Sequence, residues 1–519
     1  MRLYDFLLKN RGLLAALSIV ATFIVLVAWS LGHSGNATMP LVTLELVPLA
    51  LVLGWLFVTR MDISLLLIAL LTPFAVNVDM MSGMELSLPV EPLMILFTLI
   101  FLFRVLLHRK QSHNNTIPQS HNNAISHPVT LLVLAMLTWM TITSLTSEMP
   151  WVSIKYTLAR VWFTVPFFFA ATLIFRNPRR IRQFFWAYMI GLCAVVLITT
   201  VRTLGNFSDL QTLHRVMRPF YNDHTAYGCV IALMLPTALF FVGGKEAGGK
   251  EIGQRRQPWY RLFSLSPYLL ISITLFALLC IGLFLSYCRA AWISVAGAVG
   301  IWLLVRTGMK IKWMMLLFGL GVGLFFVHQG DVLYKLGKNK QDSSYTLADQ
   351  VKSISNISTD ASNLERLNRW ASAIRMWKED PLMGCGPGTY QFLYGRHQRS
   401  YQLSTISTNA GNLGNAHSEY IGPCAESGIV GMLTVFALLF CSLYTGIRTY
   451  NHAHNPTRRL FCLMMTLALV TYFVHGTLNN FLDTDKLSLP FWGAFAVITV
   501  MSLKPDTEPD AVSTAPQKP

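Results

Sequence analysis

The chain has 519 residues, of which 53% are hydrophobic and only 13% charged, with a mean hydropathy of +0.48. Water-soluble domains carry about a quarter charged residues, so a soluble globular protein is excluded. The formal net charge is +16, and what it means depends on where the charge sits.

The opening MRLYDFLLKNRGLLAALSIVATFIVLVAWSLG has the basic start and apolar run of a signal peptide. The run is too long, however, and many more follow, so an uncleaved first helix is expected. Apolar runs recur near residues 12–32, 40–58, 63–79, 88–107, 128–146, 153–175, 184–203, 224–242, 266–287, 291–306, 313–328, 428–447, 460–476 and 488–503. About 18 apolar residues cross a bilayer as a helix. Barrel strands would alternate in polarity, and these runs do not. The expected fold is therefore all-α, a polytopic membrane protein of about 12–14 transmembrane helices with one large outer loop containing short helices. The weakest spans are the short third one and the sixth, which contains Arg160.

With a cytoplasmic N-terminus, the alternate loops HRKQSHNN, RNPRRIRQ, GGKEAGGKEIGQRRQPWYR and VRTGMKIK and the segment ending NPTRR fall inside, and each is basic. This is the positive-inside pattern. The excess charge is an orientation signal, and no nucleic-acid partner is expected. The chain then divides into N-terminal helices (1–210), helices with Arg-bearing outer ends (211–328), a large outer loop (329–427), C-terminal helices (428–503) and a cytoplasmic tail (504–519).

The large loop starts with a Ser/Asn/Thr-rich stretch that reads as flexible. A helix is expected from Ser362, where Ser362-Asn-Leu-Glu365 forms a capping-box pattern. Leu364, Leu367, Trp370, Ile374 and Trp377 share one face, suited to lying on a membrane surface. Pro381 ends the helix, and GCGPGTY supplies a tight turn that is no P-loop, since no Lys-Ser/Thr follows. Cys193, Cys229, Cys280, Cys441 and Cys462 lie in spans, while Cys288, Cys385 and Cys424 fall outside them. In an oxidising compartment Cys385 and Cys424 could pair, or both could stay thiols. No metal-ligand spacing appears, and neither metal nor cofactor is expected.

Three outer stretches carry chemistry. RVMRPFYNDHTAYG holds Arg215 and Arg218, LSYCRAAW places Arg289 at the start of a span, and NAHSEYIGPCAESGIVG holds His417. Each has a plain reading: Arg289 as a snorkelling anchor, Arg218 as a contact to lipid phosphate, His417 as a solvated loop histidine. Together, guanidiniums that grip a phosphate group and an imidazole that takes a hydroxyl proton suit group transfer from a phosphate leaving group.

The sequence resembles the O-antigen ligase and Wzy-type polymerase superfamily of envelope glycosyltransferases. His417-Ser418, nine residues and Gly428-Ile-Val-Gly431 match the ligase signature. SYCRAAW, RPFYNDHTAYG and RLNRWASAIRMWKEDPLMGCGPGTY match further family features, so the resemblance covers about residues 215–435. It implies a bacterial inner-membrane enzyme with a periplasmic site. The implied donor is a glycan on undecaprenyl diphosphate, and the acceptor a hydroxyl of lipid A-core or another glycan, among membrane lipids. Arg218 and Arg289 would hold the diphosphate, with Arg215 competing for the place of Arg218. His417 would activate the hydroxyl, and the reaction would invert the anomeric centre without metal. Arg366, Arg369, Arg160, Ser418 and Glu419 join Arg215 as candidate substrate-binding residues.

The Asp-x-Asp of FLDTDKL (481–487) resembles a metal motif of other glycosyltransferases but reads better as a polar turn. Arg160 either lines a cavity or marks a misplaced span boundary. Alternatives to a ligase are a Wzy-type polymerase or protein O-oligosaccharyltransferase. From another class comes a polysaccharide flippase, although the spans hold few of the mid-membrane acids that transporters use.

Overall fold

The computed structural model describes residues 52–80, 84–111, 124–205, 215–243, 267–309, 361–403 and 414–504, with a few single positions between them. The expected spans at 12–32, most of 40–58 and most of 313–328 lie outside the described residues. So do the polar start of the outer loop and nearly all of the tail.

The described elements are α1 (Met61–Leu71), strands β1 (Val76–Met80) and β2 (Met84–Leu88), α2 (Val90–Gln111), α3 (Pro128–Leu145) and α4 (Pro150–Ile174), followed by α5 (Pro178–Leu204), α6 (His224–Gly243), α7 (Pro267–Leu285), α8 (Arg289–Arg306), α9 (Ala361–Glu379), α10 (Ile421–His452), α11 (Pro456–His475) and α12 (Asp485–Leu503). Nine of these helices, α3–α8 and α10–α12, are long and apolar enough to cross a membrane among the described residues. The protein is an all-α polytopic membrane protein.

Local sequence explains where the helices begin. Asn177 and Asn455 cap α5 and α11 through their side chains, each followed by a proline at the first helical position. There the missing N–H costs nothing and φ is already set. Within α4, Pro166 lies in a π-helical stretch, Val165–Ala170. The Thr164 hydroxyl donates to the Arg160 carbonyl at 2.8 Å, a local side-chain bond just ahead of that stretch.

The structure differs from the sequence expectation at two places. The third span, expected over 63–79, stops at Phe74, and the chain instead forms an antiparallel hairpin pairing Val76 with Leu88. Its residues alternate at the period of a strand, which a hydropathy window averages away. α10 starts at Ile421 rather than 428 and breaks at Ser427 and Gly428, whose φ is +66°.

That break is repaired by the glycine turn. The N–H groups of Cys385 and Gly386 donate to the Ala425 and Glu426 carbonyls at 3.0 and 2.8 Å, and Trp139 Nε1 donates to the Ser427 carbonyl at 2.8 Å. Gly384 is required, since a Cβ there would sit 2.6 Å from the Ala425 oxygen at φ +70°. A Cβ on Gly428 would collide with the Leu382 carbonyl. Cys385 and Cys424 are unbonded thiols; Cys385 Sγ lies 3.3 Å from the Ala425 carbonyl.

α12 sits at the centre, buried along nearly its whole length, with α11 beside it. At one end of the bundle, Arg180 pairs with Asp62, Arg458 Nε donates to the Met501 carbonyl at 2.6 Å, and His127 meets Ser502 at 3.0 Å. At the other end, Ser87 bonds Asp485 at 3.0 Å, Glu148 N–H bonds the Cys385 carbonyl at 3.0 Å, and Arg366 Nε bonds the Leu478 carbonyl at 3.0 Å. Loops expected on the same side of the membrane therefore do meet.

Candidate active site

His417 lies in a short loop just ahead of α10, in a left-handed conformation with φ +50°. The Asn415 side chain makes this turn by accepting the His417 N–H at 3.1 Å, while its own amide nitrogen reaches the Asn480 carbonyl at 3.3 Å. On the other side of the loop, Trp370 Nε1 meets the His417 carbonyl at 3.4 Å. Such a backbone is costly for a non-glycine residue and persists only where its surroundings fix it.

Burial, together with the positive charges of Arg366 and Arg369, pulls the His417 imidazole down to a pKa of about 3, with Asp223 opposing. The ring is therefore neutral at neutral pH and can accept a proton. Arg366 also reaches electrostatically to Cys288, the residue before Arg289, so α9 and the start of α8 face each other across the site. Asp223 anchors the third wall. Its Oδ1 accepts the N–H groups of Thr225 and Ala226 at 2.7 and 2.9 Å and so caps α6.

The other candidates are placed as follows. Arg369 is pinned: Nε donates to Glu365 at 2.7 Å, Nη1 to the Asn415 carbonyl at 3.2 Å, and the guanidinium lies 4.4 Å from the Tyr394 ring centre. Arg289 is part-buried at the first position of α8. Arg218 and Arg215 are both exposed, and Arg218 Nε donates to the Asn222 carbonyl at 3.1 Å. The Ser418 hydroxyl accepts the N–H groups of Tyr420 and Ile421, both at 3.3 Å, at the entry to α10. Glu419 organises the facing loop by accepting the Tyr472 hydroxyl and the N–H groups of Phe481 and Leu482 at 3.0 and 3.1 Å. Arg160 lies lower, against the Leu482 carbonyl and the Tyr156 hydroxyl, lining an apolar cavity in the bundle.

His417 is thus grouped with Arg366, Arg369 and Asp223, and Arg289 lies at the edge of that group. Arg218, exposed, reaches the carbonyl of Asn222, the residue before Asp223, and so lies at the rim of the group. Sequence reading passed over Asp223 because a lone acid before a span reads as a helix cap, which it also is. His475 was missed for lack of any motif. It is buried at the end of α11, bonded to Asn479 at 3.2 Å and close to Arg366 and Asp223. The stripe of α9 expected to lie on the membrane is exposed at Ile374, while the face holding Glu365, Asn368, Arg369 and Ser372 is buried. Polar packing therefore positions the arginines, while of the apolar stripe Ile374 is outward and Trp370 turns to the His417 loop.

A family model described as O-antigen ligase matches residues 274–436, a segment that holds Arg289, Arg366, Arg369 and His417. No curated protein matches the chain.

Proposed function

From the match of residues 274–436 to the O-antigen ligase family model, we propose that this protein is a membrane glycosyltransferase that transfers a glycan from undecaprenyl diphosphate to a sugar hydroxyl of lipid A-core at the periplasmic face. The observation that carries the reading is the neutral imidazole of His417 set among guanidiniums.

In this mechanism the acceptor hydroxyl attacks the anomeric carbon on the side opposite the diphosphate. A C–O bond to the acceptor forms while the C–O bond to diphosphate breaks, its electron pair leaving on the phosphate oxygen. The hydroxyl proton passes to His417, a step worth roughly 10²–10⁴ in rate. Arg289 and Arg366, with Arg218 at the rim, bind and stabilise the departing diphosphate. The depressed basicity of His417 then has a use: a bound diphosphate offsets the field of Arg366 and Arg369 and raises the imidazole's proton affinity only when donor is present.

The test is His417→Ala in the native host, read on the lipopolysaccharide ladder. Lipid-linked long chains with bare core are expected. Core capped by a single repeat would point to a polymerase, and an unchanged ladder would overturn the reading.

A further inference from the structure

At the same end of the bundle as His417 lies a second, polar cavity of about 200 Å³. Its walls come from the β1–β2 hairpin, the loop ahead of α6, which also carries Asp223 and Arg218, and the loop entering α12. Asp223 belongs both to this cavity and to the group around His417. We propose that this cavity holds a pyranose ring of a glycan substrate beside the reaction centre; the inference deepens the glycosyltransferase reading and rests on it.

The lining has the composition that a sugar ring needs. Phe220 and Phe481 offer aromatic surface for the C–H face of a pyranose, while Asn222 and Asp483 offer amide and carboxylate groups for its hydroxyls. Asp483 faces the cavity, more than a third exposed, without a hydrogen bond to another residue among the described ones. Tyr221 is 3% exposed, and its hydroxyl has no hydrogen-bond partner of good geometry. The adjacent Tyr188 hydroxyl gives its own proton to the Lys486 carbonyl at 2.5 Å. The Tyr221 hydroxyl thus lies beside that of Tyr188 without a well-formed bond, and a ligand hydroxyl or a water can complete it.

Charge separates this cavity from the diphosphate site. Glu91, Asp223, Asp483 and Asp485 line it with one lining cation, Lys486, which is 3.4 Å from Asp485, while Arg160 acts on Asp483 from outside the lining. A doubly charged phosphate group would be repelled from these walls and drawn to the arginines, whereas hydroxyl donors are attracted by carboxylates. The floor is fixed: Asp485 accepts from Ser87 of β2 at 3.0 Å, and Glu91 accepts the Ser87 N–H at 2.8 Å. The hairpin that hydropathy missed thus closes one wall of a preformed site.

The pyranose has two sources, the acceptor and the donor glycan. The test is saturation-transfer NMR on the full-length protein in nanodiscs, using two lipid-free probes from the host: core oligosaccharide and repeat-unit glycan. Wild type is expected to bind one of them at millimolar concentration. Asp483→Asn and Tyr221→Phe, both conservative, should each weaken that binding about tenfold. Which probe binds identifies the source. Wild-type affinity retained in both variants, or no binding of either probe to wild type, overturns the proposal. His417→Ala should bind the probe as wild type does while losing transfer. If instead it keeps transfer, the proposed mechanism fails and the cavity assignment stands on its binding data.

Discussion

Arg366 illustrates how one side chain can govern another's proton. It acts on His417 from α9, 51 positions away in the chain, and is the largest charge effect holding that imidazole near a pKa of about 3. Arg366→Gln is expected to raise the His417 titration toward the ordinary value near 6.5, observable by histidine-selective NMR; an unmoved titration would show that Arg366 does not control it. The sign for stability follows. The unfolded chain protonates His417 near pH 6.5 and the folded chain only near 3, so the unfolded state binds more protons between those values. Stability therefore falls as pH drops through that window, and Arg366→Gln should narrow the window. Sequence made the histidine legible through its spacing to Gly428 and Gly431. It ranked Arg218 above Arg366 because an arginine ahead of a span stands out, whereas one within an amphipathic helix reads as surface charge.

At the scale of elements, α10 and the glycine turn of residues 384–388 form one unit. The broken helix frees the carbonyls of Ala425, Glu426 and Ser427, and each finds a donor outside α10. Gly428→Ala would force a side chain into positive φ and against the Leu382 carbonyl. It should destabilise by about 1–3 kcal/mol or more, read as a lower Tm in detergent. Trp139→Phe, which leaves the Ser427 carbonyl without its 2.8 Å donor, should cost about 1–3 kcal/mol with no effect on titration of His417. Equal Tm for both variants and wild type would show that the break is tolerated without these contacts. Helix positions were legible because apolar length is a local signal. The break was hidden, since glycine in an apolar run leaves hydropathy unchanged, and the turn that repairs it lies about forty residues upstream.

Across the whole molecule, Lys/Arg bias foretold which loops share a side, and the ties at each end of the bundle agree with it. Convergence of residues as distant as Asp223, Arg366 and His417 has no such one-dimensional trace; it follows from how α6, α8, α9 and α11 pack. The proposed orientation predicts opposite labelling by a membrane-impermeant maleimide. A cysteine at Arg396, exposed and paired with Glu148 at 2.8 Å, should react in spheroplasts. One at Arg179, at the start of α5 near the Arg180–Asp62 pair, should react only after lysis. The reverse pattern would put the His417 loop in the cytoplasm and end the periplasmic assignment.

The dependence of α10 on residues 384–388 also constrains biogenesis. Without that turn the carbonyls of Ala425 and Glu426 lose their donors, and a helix with two unpaired carbonyls is a poor candidate for release into lipid, where each would cost several kcal/mol. The upstream turn must already be at hand when the translocon opens sideways for α10, so partitioning of this segment should wait for its outer neighbour. Replacing GCGPG with a Ser-rich linker should accordingly leave α10 sensitive to protease in newly made chains, while α3 and α5, with unbroken backbones, integrate at the normal rate.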